Sequence, residues 1–363
     1  MPLTEVLEGS REDVSLAPLT TLGIGGRSRW FLDAKSAADI ERAHRWSSVH
    51  GMPILILCSG SNVVVSDDGF HGLVIHVGIR GRRWITDGKD SLVTSGAGEP
   101  WDEIVADCVE RTLAGVECLS GIPGTVGGTP VQNVGAYGQD VSGVFERLTA
   151  YDRQSQTFLT MNASDCGFSY RMSRFKGSDA GRFVICDVTL RVRLGTPTVT
   201  YPDIVRRLSE EGVSSPDVRA VRKTVLEVRR SKGMVIDPQD PDTRSVGSFF
   251  MNPVVQLADR DRVAHAAGAQ PPAYQSDEGC VKLSAAWLIE RAGFRRGEGD
   301  GSIGISTKHT LALVNRGGAT ARDVLRFAAR IKRGVLDRFD INLRPEPVFV
   351  GFGDNHDLDF LQS

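Results

Sequence analysis

The chain has 363 residues, of which 40% are apolar and 24% charged, with a formal net charge of −2. That balance supports real cores and two or three domains, and it excludes a wholly disordered chain or a strongly basic nucleic-acid binder. Glycine is in excess, 40 residues or about 11% against an average near ~7%, and glycine serves where backbone turns sharply or approaches a ligand closely.

Met1 to Ser15 carries four acidic residues and no apolar core, so it does not read as a signal peptide. The longest apolar run, Met52 to Cys58, is interrupted by Pro53 and falls short of the ~20 residues a spanning helix needs. The cysteines are Cys58, Cys108, Cys118, Cys166, Cys186 and Cys280, with no Cys-x-x-Cys pair. The economical reading is a reduced, cytosolic protein.

Strands and helices alternate in the first third. Trp30 to Ala34 reads as a strand. Ser36 and Asp39 form a capping box that opens a helix to about His50. Pro53 to Leu57 is a buried strand that ends at Cys58-Ser59-Gly60-Ser61-Asn62. Val63–Val65, Leu73–Val77, Arg83–Thr86 and Leu92–Ser95 follow as strands. Pro100 opens a helix to about Leu113. Gly121 to Gly138 holds six glycines and two prolines, and no regular element is expected there. Phe183 to Val192 alternates as a long strand with an irregularity near Cys186–Asp187.

Gly195 to Tyr201 is the first boundary. Helices are expected at Pro202–Glu211, Asp217–Lys232, Leu283–Ala292 and Ala321–Phe339. The last carries Val324, Ala328, Ile331, Val335 and Phe339 on one face, after a Thr320/Asp323 capping box. Asn342 to Gly351 reads as a final strand. The sum is an α+β chain, with an N-terminal ligand-binding part to about residue 195 and a smaller C-terminal part from about 220.

Some motifs are discounted. Gly299 to Gly304 spells G-x-G-x-x-G, but a polar loop precedes it and a short strand follows, not the strand–helix setting of a dinucleotide site. Ser173-Arg174-Phe175-Lys176 spells S-x-x-K without the partner motifs of that acyl-enzyme class. The histidines form no metal-ligand spacing.

Others carry weight. Gly60-Ser61-Asn62, after a buried strand, suits an anion nest, although an ordinary turn is the bland alternative. The 121–138 loop lets backbone approach a flat ligand or a diphosphate. Two such loops on one α+β domain suggest a large phosphate-bearing cofactor. Gly247-Ser248-Phe249-Phe250, Ser169-Tyr170-Arg171 and Pro345-Glu346-Pro347 each set one polar residue among aromatic or apolar neighbours. Alone, each also reads as a strand serine or a structural ion pair.

Together these segments resemble the UDP-N-acetylenolpyruvoylglucosamine reductases, from about Leu19 to Gly351. The markers are Thr20-Thr21-Leu22-Gly23-Ile24, Gly60-Ser61-Asn62, Ile122-Pro123-Gly124 through Asn133-Val134-Gly135-Ala136-Tyr137-Gly138, Ser169-Tyr170-Arg171, Gly247-Ser248-Phe249-Phe250-x-Asn252-Pro253, Lys282 to Ile289 and Pro345-Glu346-Pro347-Val348. The resemblance implies an FAD-binding domain of the vanillyl-alcohol-oxidase (PCMH) type over 15–195, with subdomains of about 15–80 and 81–195. It implies a C-terminal α+β substrate-binding domain over 220–351. It implies non-covalent FAD, NADPH as co-substrate, and reduction of the enolpyruvyl ether of UDP-N-acetylglucosamine to UDP-N-acetylmuramate for peptidoglycan. NADPH reduces FAD and leaves. The substrate then takes a hydride at its methylene carbon and a proton at the carbon bearing the carboxylate.

By the same pattern Arg171 stabilises charge spreading into the carboxylate, Ser248 donates the proton and Glu346 completes the catalytic set. Cofactor contacts fall on Gly60, Ser61, Asn62, Ile122, Pro123, Gly124, Thr125, Gly127, Gly128, Gln132, Asn133, Gly135, Ala136, Tyr137 and Gly138. Substrate contacts fall on Tyr170, Tyr201 of a mobile tyrosine loop, Lys232, Asn252, Tyr274 and His309. No nucleic acid, membrane segment or obligate protein partner is implied. Two competing readings are a flavin oxidase on the same fold and a flavin-free nucleotide-sugar binding protein.

Overall fold

The computed structural model describes residues 6–276 and 278–363. Part of the acidic start at Met1 to Ser15 therefore lies outside the described residues. The described chain divides into two compact units. The first comprises residues 6–14, Ser28–Gly60 and Phe70–Val235, and the second comprises Ser15–Arg27, Ser61–Gly69 and the described residues of 236–363. The units thus depart from the expected boundaries. The helices Pro202–Glu210 and Val218–Ser231 belong to the first, and two short N-terminal segments belong to the second.

In the first unit, Ser36 Oγ accepts from Asp39 N and the Asp39 carboxylate accepts from Ser36 N, which starts the Ala37–Val49 helix where the capping box placed it. That helix follows Arg27–Ala34. It precedes Ile54–Leu57, which pairs in parallel with Phe70–Val77. The four-stranded sheet runs Ser10–Ser15, Arg27–Ala34, Phe70–Val77, Ile54–Leu57. A larger antiparallel sheet centres on Phe183–Leu194, between Phe145–Asp152 and Asp90–Gly96. Its register with Phe145–Asp152 slips between Thr149 and Ala150, whose partners are Asp187 and Ile185. Cys186 is thus the extra residue, at the irregularity the sequence marked.

The expected helix to Leu113 stops at Glu110, and Leu113–Ala114 instead pairs with the end of Phe183–Leu194. The final strand contracts to Val348–Val350. Ser10–Ser15, Phe145–Asp152, Thr157–Asn162 and the Leu257–Ala267 helix were not anticipated. Their apolar residues are interspersed with polar or charged ones, so neither period stands out.

In the second unit the Ala321–Phe339 helix buries the whole expected face, from Val324 through Ala328, Ile331 and Val335 to Phe339. It packs in one core with Phe249, Phe250, Leu288, Ile289 and Leu313. Val348–Val350 pairs in parallel with Val63–Val65, which ties the inserted segment Ser61–Gly69 to the C-terminal part of this unit. Gly299–Asp300 and Ile303–Ile305 form an antiparallel hairpin, so the G-x-G-x-x-G there opens no helix. All six cysteines are free thiols. Among the described residues, no helix is long and apolar enough to cross a membrane and no group of metal-ligating side chains occurs.

Candidate active site

The 121–138 loop is fixed by backbone bonds to the strand end and helix start at 97–101. Trp101 N donates to Gly124 O at 3.0 Å, Val126 N to Glu99 O at 2.9 Å and Gly127 N to Ala97 O at 2.9 Å. Gly127 must be glycine for this approach: a Cβ there would lie 2.6 Å from Ala97 Cβ. Gly60 and Gly124 hold φ of 61° and 145°, which side chains resist. The loop is not wholly irregular. Val126–Gly128 is a short 3₁₀ turn, and Gly135–Ala136 pairs with Gln139–Asp140. Tyr137 and Gly138 both take positive φ, 49° and 88°, in the two-residue turn between those strands.

Such a loop can hold a flat, phosphate-bearing ligand. At Gly128 a Cβ would meet only Cys58 Cβ, at 4.0 Å. Thr125 Oγ1 is buried without a hydrogen bond of ordinary geometry; the Cys58 thiol is close enough to feel it, and burial pushes that thiol up. Backbone open to close approach beside an unsatisfied buried hydroxyl fits a cofactor and is costly without one. Asn133 differs. It is buried, its amide nitrogen donates to Ser169 O at 3.2 Å, and its oxygen accepts from Ser142 N at 3.0 Å. Its side chain therefore braces one loop against another.

The braced segment is the tight turn Ser169–Met172, closed by reciprocal backbone bonds of 3.0 and 3.2 Å. Arg171 sits at its apex with φ of 56°, and its guanidinium lies over the Tyr170 ring at 5.6 Å. The bare face of Gly135 leaves it room: a Cβ there would come within 3.1 Å of Arg171 Nη1.

A second cluster in this unit joins Tyr137, Tyr201 and Lys232. The two rings meet edge to face at 5.2 Å, and Lys232 Nζ lies 5.8 Å from the Tyr137 centroid. Lys232 Nζ also pairs with Asp203 at 3.1 Å. Tyr201 is the N-cap of the Pro202–Glu210 helix and Lys232 the C-cap of Val218–Ser231. Burial pushes the Tyr137 phenol up. Arg229, one turn before Lys232, is buried; its Nη2 donates to Met234 O at 2.7 Å and its Nε has no hydrogen-bond partner. Arg229, Arg230 and Lys232 stand together at this helix end in the sequence; that Arg229 lies buried depends on what packs over it.

In the second unit, Gly247 turns with φ of 76° into Ser248. Buried Phe249 and Phe250 then anchor the segment between two others. Phe249 N donates to Leu311 O and Glu346 N donates to Phe249 O, both at 2.8 Å. Ser248 thus stands one residue from the register of Glu346. Asn62 supports this pair from below: its amide donates to Glu346 O at 3.3 Å, and its own carbonyl accepts from Val348 N. Asn252 Oδ1 accepts from Ala285 N at 2.9 Å, at the start of the Ala285–Arg291 helix. Tyr274 is about a third exposed on the strand that pairs with Lys282. His309 begins the turn whose carbonyl receives Ala312 N, beside the strand that pairs with Ser248.

Within the first unit, then, Arg171 is brought to Gly135 and Tyr170, and Lys232 to Tyr137 and Tyr201. Within the second, the Glu346 segment is bonded to Phe249, the residue after Ser248, and to Asn62. The fold and its glycine-lined loops define a protein that holds a flat, phosphate-bearing cofactor through backbone.

Comparison with known proteins narrows that class. Residues 29–152 match the family model described as FAD binding domain. Residues 238–350 match UDP-N-acetylenolpyruvoylglucosamine reductase, C-terminal domain. The chain is 48% identical to the UDP-N-acetylenolpyruvoylglucosamine reductase of Thermobifida fusca, over 93% of this chain and 97% of that one. It is 46% identical to that of Streptomyces coelicolor, over 93% and 90%. The crystal structure of the Thermus caldophilus reductase superposes with a TM-score of 0.62 at 25% identity, covering 94% of this chain and all of that one. The chain belongs to the UDP-N-acetylenolpyruvoylglucosamine reductase family.

Proposed function

We propose that this enzyme reduces the enolpyruvyl ether of UDP-N-acetylglucosamine to UDP-N-acetylmuramate, with NADPH as electron donor, in the cytoplasm. Bound FAD supplies the two-electron chemistry, linking a nicotinamide to the enolpyruvyl carbon–carbon double bond. The 121–138 loop and the Gly60 turn hold the cofactor through backbone, with Thr125 as the side-chain donor, within a domain reaching from about 15 to 195. The C-terminal part binds the nucleotide sugar.

By the family pattern Arg171 stabilises the negative charge that builds in the substrate carboxylate, and Glu346 is the third member of the catalytic set. A fixed cation matters because preorganised electrostatics is usually the largest catalytic contribution. The Ser248 hydroxyl gives its proton to the carbon bearing the carboxylate. Lys232 and Tyr201 hold the diphosphates of sugar nucleotide and nicotinamide in turn. Tyr170, Asn252, Tyr274 and His309 contact the substrate by the same family pattern.

The observation that carries the reading is that the Ser248 and Glu346 segments are joined through backbone, one residue from each other's register. Glu346 N donates to Phe249 O at 2.8 Å, so the segment that carries the proton donor runs beside the one that carries the carboxylate. Ser248→Ala tests it. Flavin binding and reduction by NADPH should stay near normal, since that half-reaction needs no proton from Ser248. Reoxidation by the enolpyruvyl substrate should slow by the ~10²–10⁴-fold typical of losing a general acid. Ser248→Cys should recover part of the rate. Stopped-flow absorbance separates the half-reactions, and equal slowing of both would remove Ser248 from the mechanism.

A further inference from the structure

Asp102 belongs to neither cluster described above, yet it touches the elements that carry both. Its Oδ1 accepts from Gly121 N at 2.6 Å, where Gly121 begins the cofactor loop with φ of 68°. The same carboxylate takes both arms of the Arg222 guanidinium, at 2.6 and 2.9 Å. Arg222 lies on Val218–Ser231, the helix that ends in Arg229 and Lys232. Such a fork fixes direction as well as distance.

A second contact joins the same elements. A Cβ on Gly121 would meet Leu226 Cδ2 at 2.7 Å, so the helix packs directly on the bare glycine. Val221 and Val225 of that helix pack with Cys118, three residues before the loop. Arg219 Nη2 ties its first turn to Glu110 O, at the end of the helix that carries Asp102. The helix is therefore indexed to the cofactor loop at its start, its middle and its Arg222 fork.

We propose that Asp102 and Arg222 are positioning residues that couple the cofactor loop to Lys232, so that the enzyme's holds on flavin and on the nicotinamide diphosphate are linked. The proposal rests on the reading of Lys232 given above. The fork sets the axial position of the helix against Gly121. That position sets where Lys232 stands beside Tyr137. Coupling of this kind is reciprocal: what loosens the fork weakens both ligands.

Arg222→Met in the holoenzyme tests this, with Arg222→Lys, Lys232→Met and the Arg222→Met/Lys232→Met double variant beside it. Two quantities are measured: kcat and KM for NADPH, and the rate of flavin release, followed as recovery of free-flavin fluorescence on dilution. Losing a charge-assisted fork is worth roughly tenfold. Arg222→Met should raise KM for NADPH ~10-fold, leave kcat within ~2-fold, and speed flavin release ~10-fold. Arg222→Lys should fall between. In the Lys232→Met background, Arg222→Met should add no further rise in KM while still speeding flavin release, a pattern that general loosening of the fold does not produce. Equal KM increments in both backgrounds, or unchanged flavin release, overturn the proposal. If Lys232→Met alone leaves KM for NADPH unchanged, the reading of Lys232 has failed instead, and flavin release then decides the clamp by itself.

Discussion

Gly127→Ala is the sharpest probe of the cofactor loop. The new Cβ would stand 2.6 Å from Ala97 Cβ and 3.2 Å from the Ala97 Cα and carbonyl oxygen. Carbon atoms pack at about 3.5–4.0 Å, so the loop must retreat by roughly 1 Å. Ala97 is wholly buried and cannot yield. Retreat strains the Gly127 N to Ala97 O and Val126 N to Glu99 O bonds, each 2.9 Å. Overpacking of this kind costs about 1–3 kcal/mol. At ~2–4 °C per kcal/mol for a domain of this size, Tm should fall by several degrees. A loop displaced from its binding position should also lose FAD affinity, by up to about 5–150-fold if the whole strain is relieved that way. Differential scanning fluorimetry gives Tm, and the ratio of flavin to protein absorbance gives occupancy. Ala97→Gly removes the nearest atom. Alone it should cost about 0.5–1 kcal/mol; combined with Gly127→Ala it should restore most of the lost flavin. Full occupancy and unchanged Tm in Gly127→Ala, or no rescue in the double variant, would refute the close approach.

Two further expectations concern stability. Burial, with Arg153 nearby, holds the His44 imidazole below its ordinary 6.5, where it meets the Tyr151 hydroxyl at 3.2 Å. The unfolded chain therefore binds this proton first, and stability drops as pH falls below about 6.5. His44→Gln should flatten that slope, read as urea midpoints at pH 7.5 and 5; an unchanged slope would put the acid sensitivity elsewhere. Lys332 is buried and donates to Phe360 O and Leu361 O, at 2.6 and 3.0 Å. Lys332→Met should orphan the last turn of the His356–Gln362 helix, cost about 1–3 kcal/mol and speed amide exchange there, with flavin content unchanged.

What the sequence determined by itself was local chemistry. The capping boxes at Ser36 and Thr320 set two helix starts, because each needs only residues three apart. The Val324–Phe339 face announced its burial by period alone. The slip at Cys186 showed as a break in alternation. The glycines of the 121–138 loop announced close backbone approach, though not that Gly127 answers Ala97. The ordered motifs carried the family.

Tertiary structure decided who meets whom. Nothing in the spacing told that Val63–Val65 pairs with Val348–Val350, almost three hundred residues on, or that Asn62 therefore supports Glu346. Strand pairing is set by which apolar faces share a core, and that is a property of the whole chain. Nothing in the sequence singles out Asp102 or Arg222, two charges on separate helices. They became a junction because Val221 and Val225 bury against Cys118 and bring the second helix down onto Gly121. A charge pair 120 residues apart leaves no periodic trace; only the packing that holds both helices makes it visible.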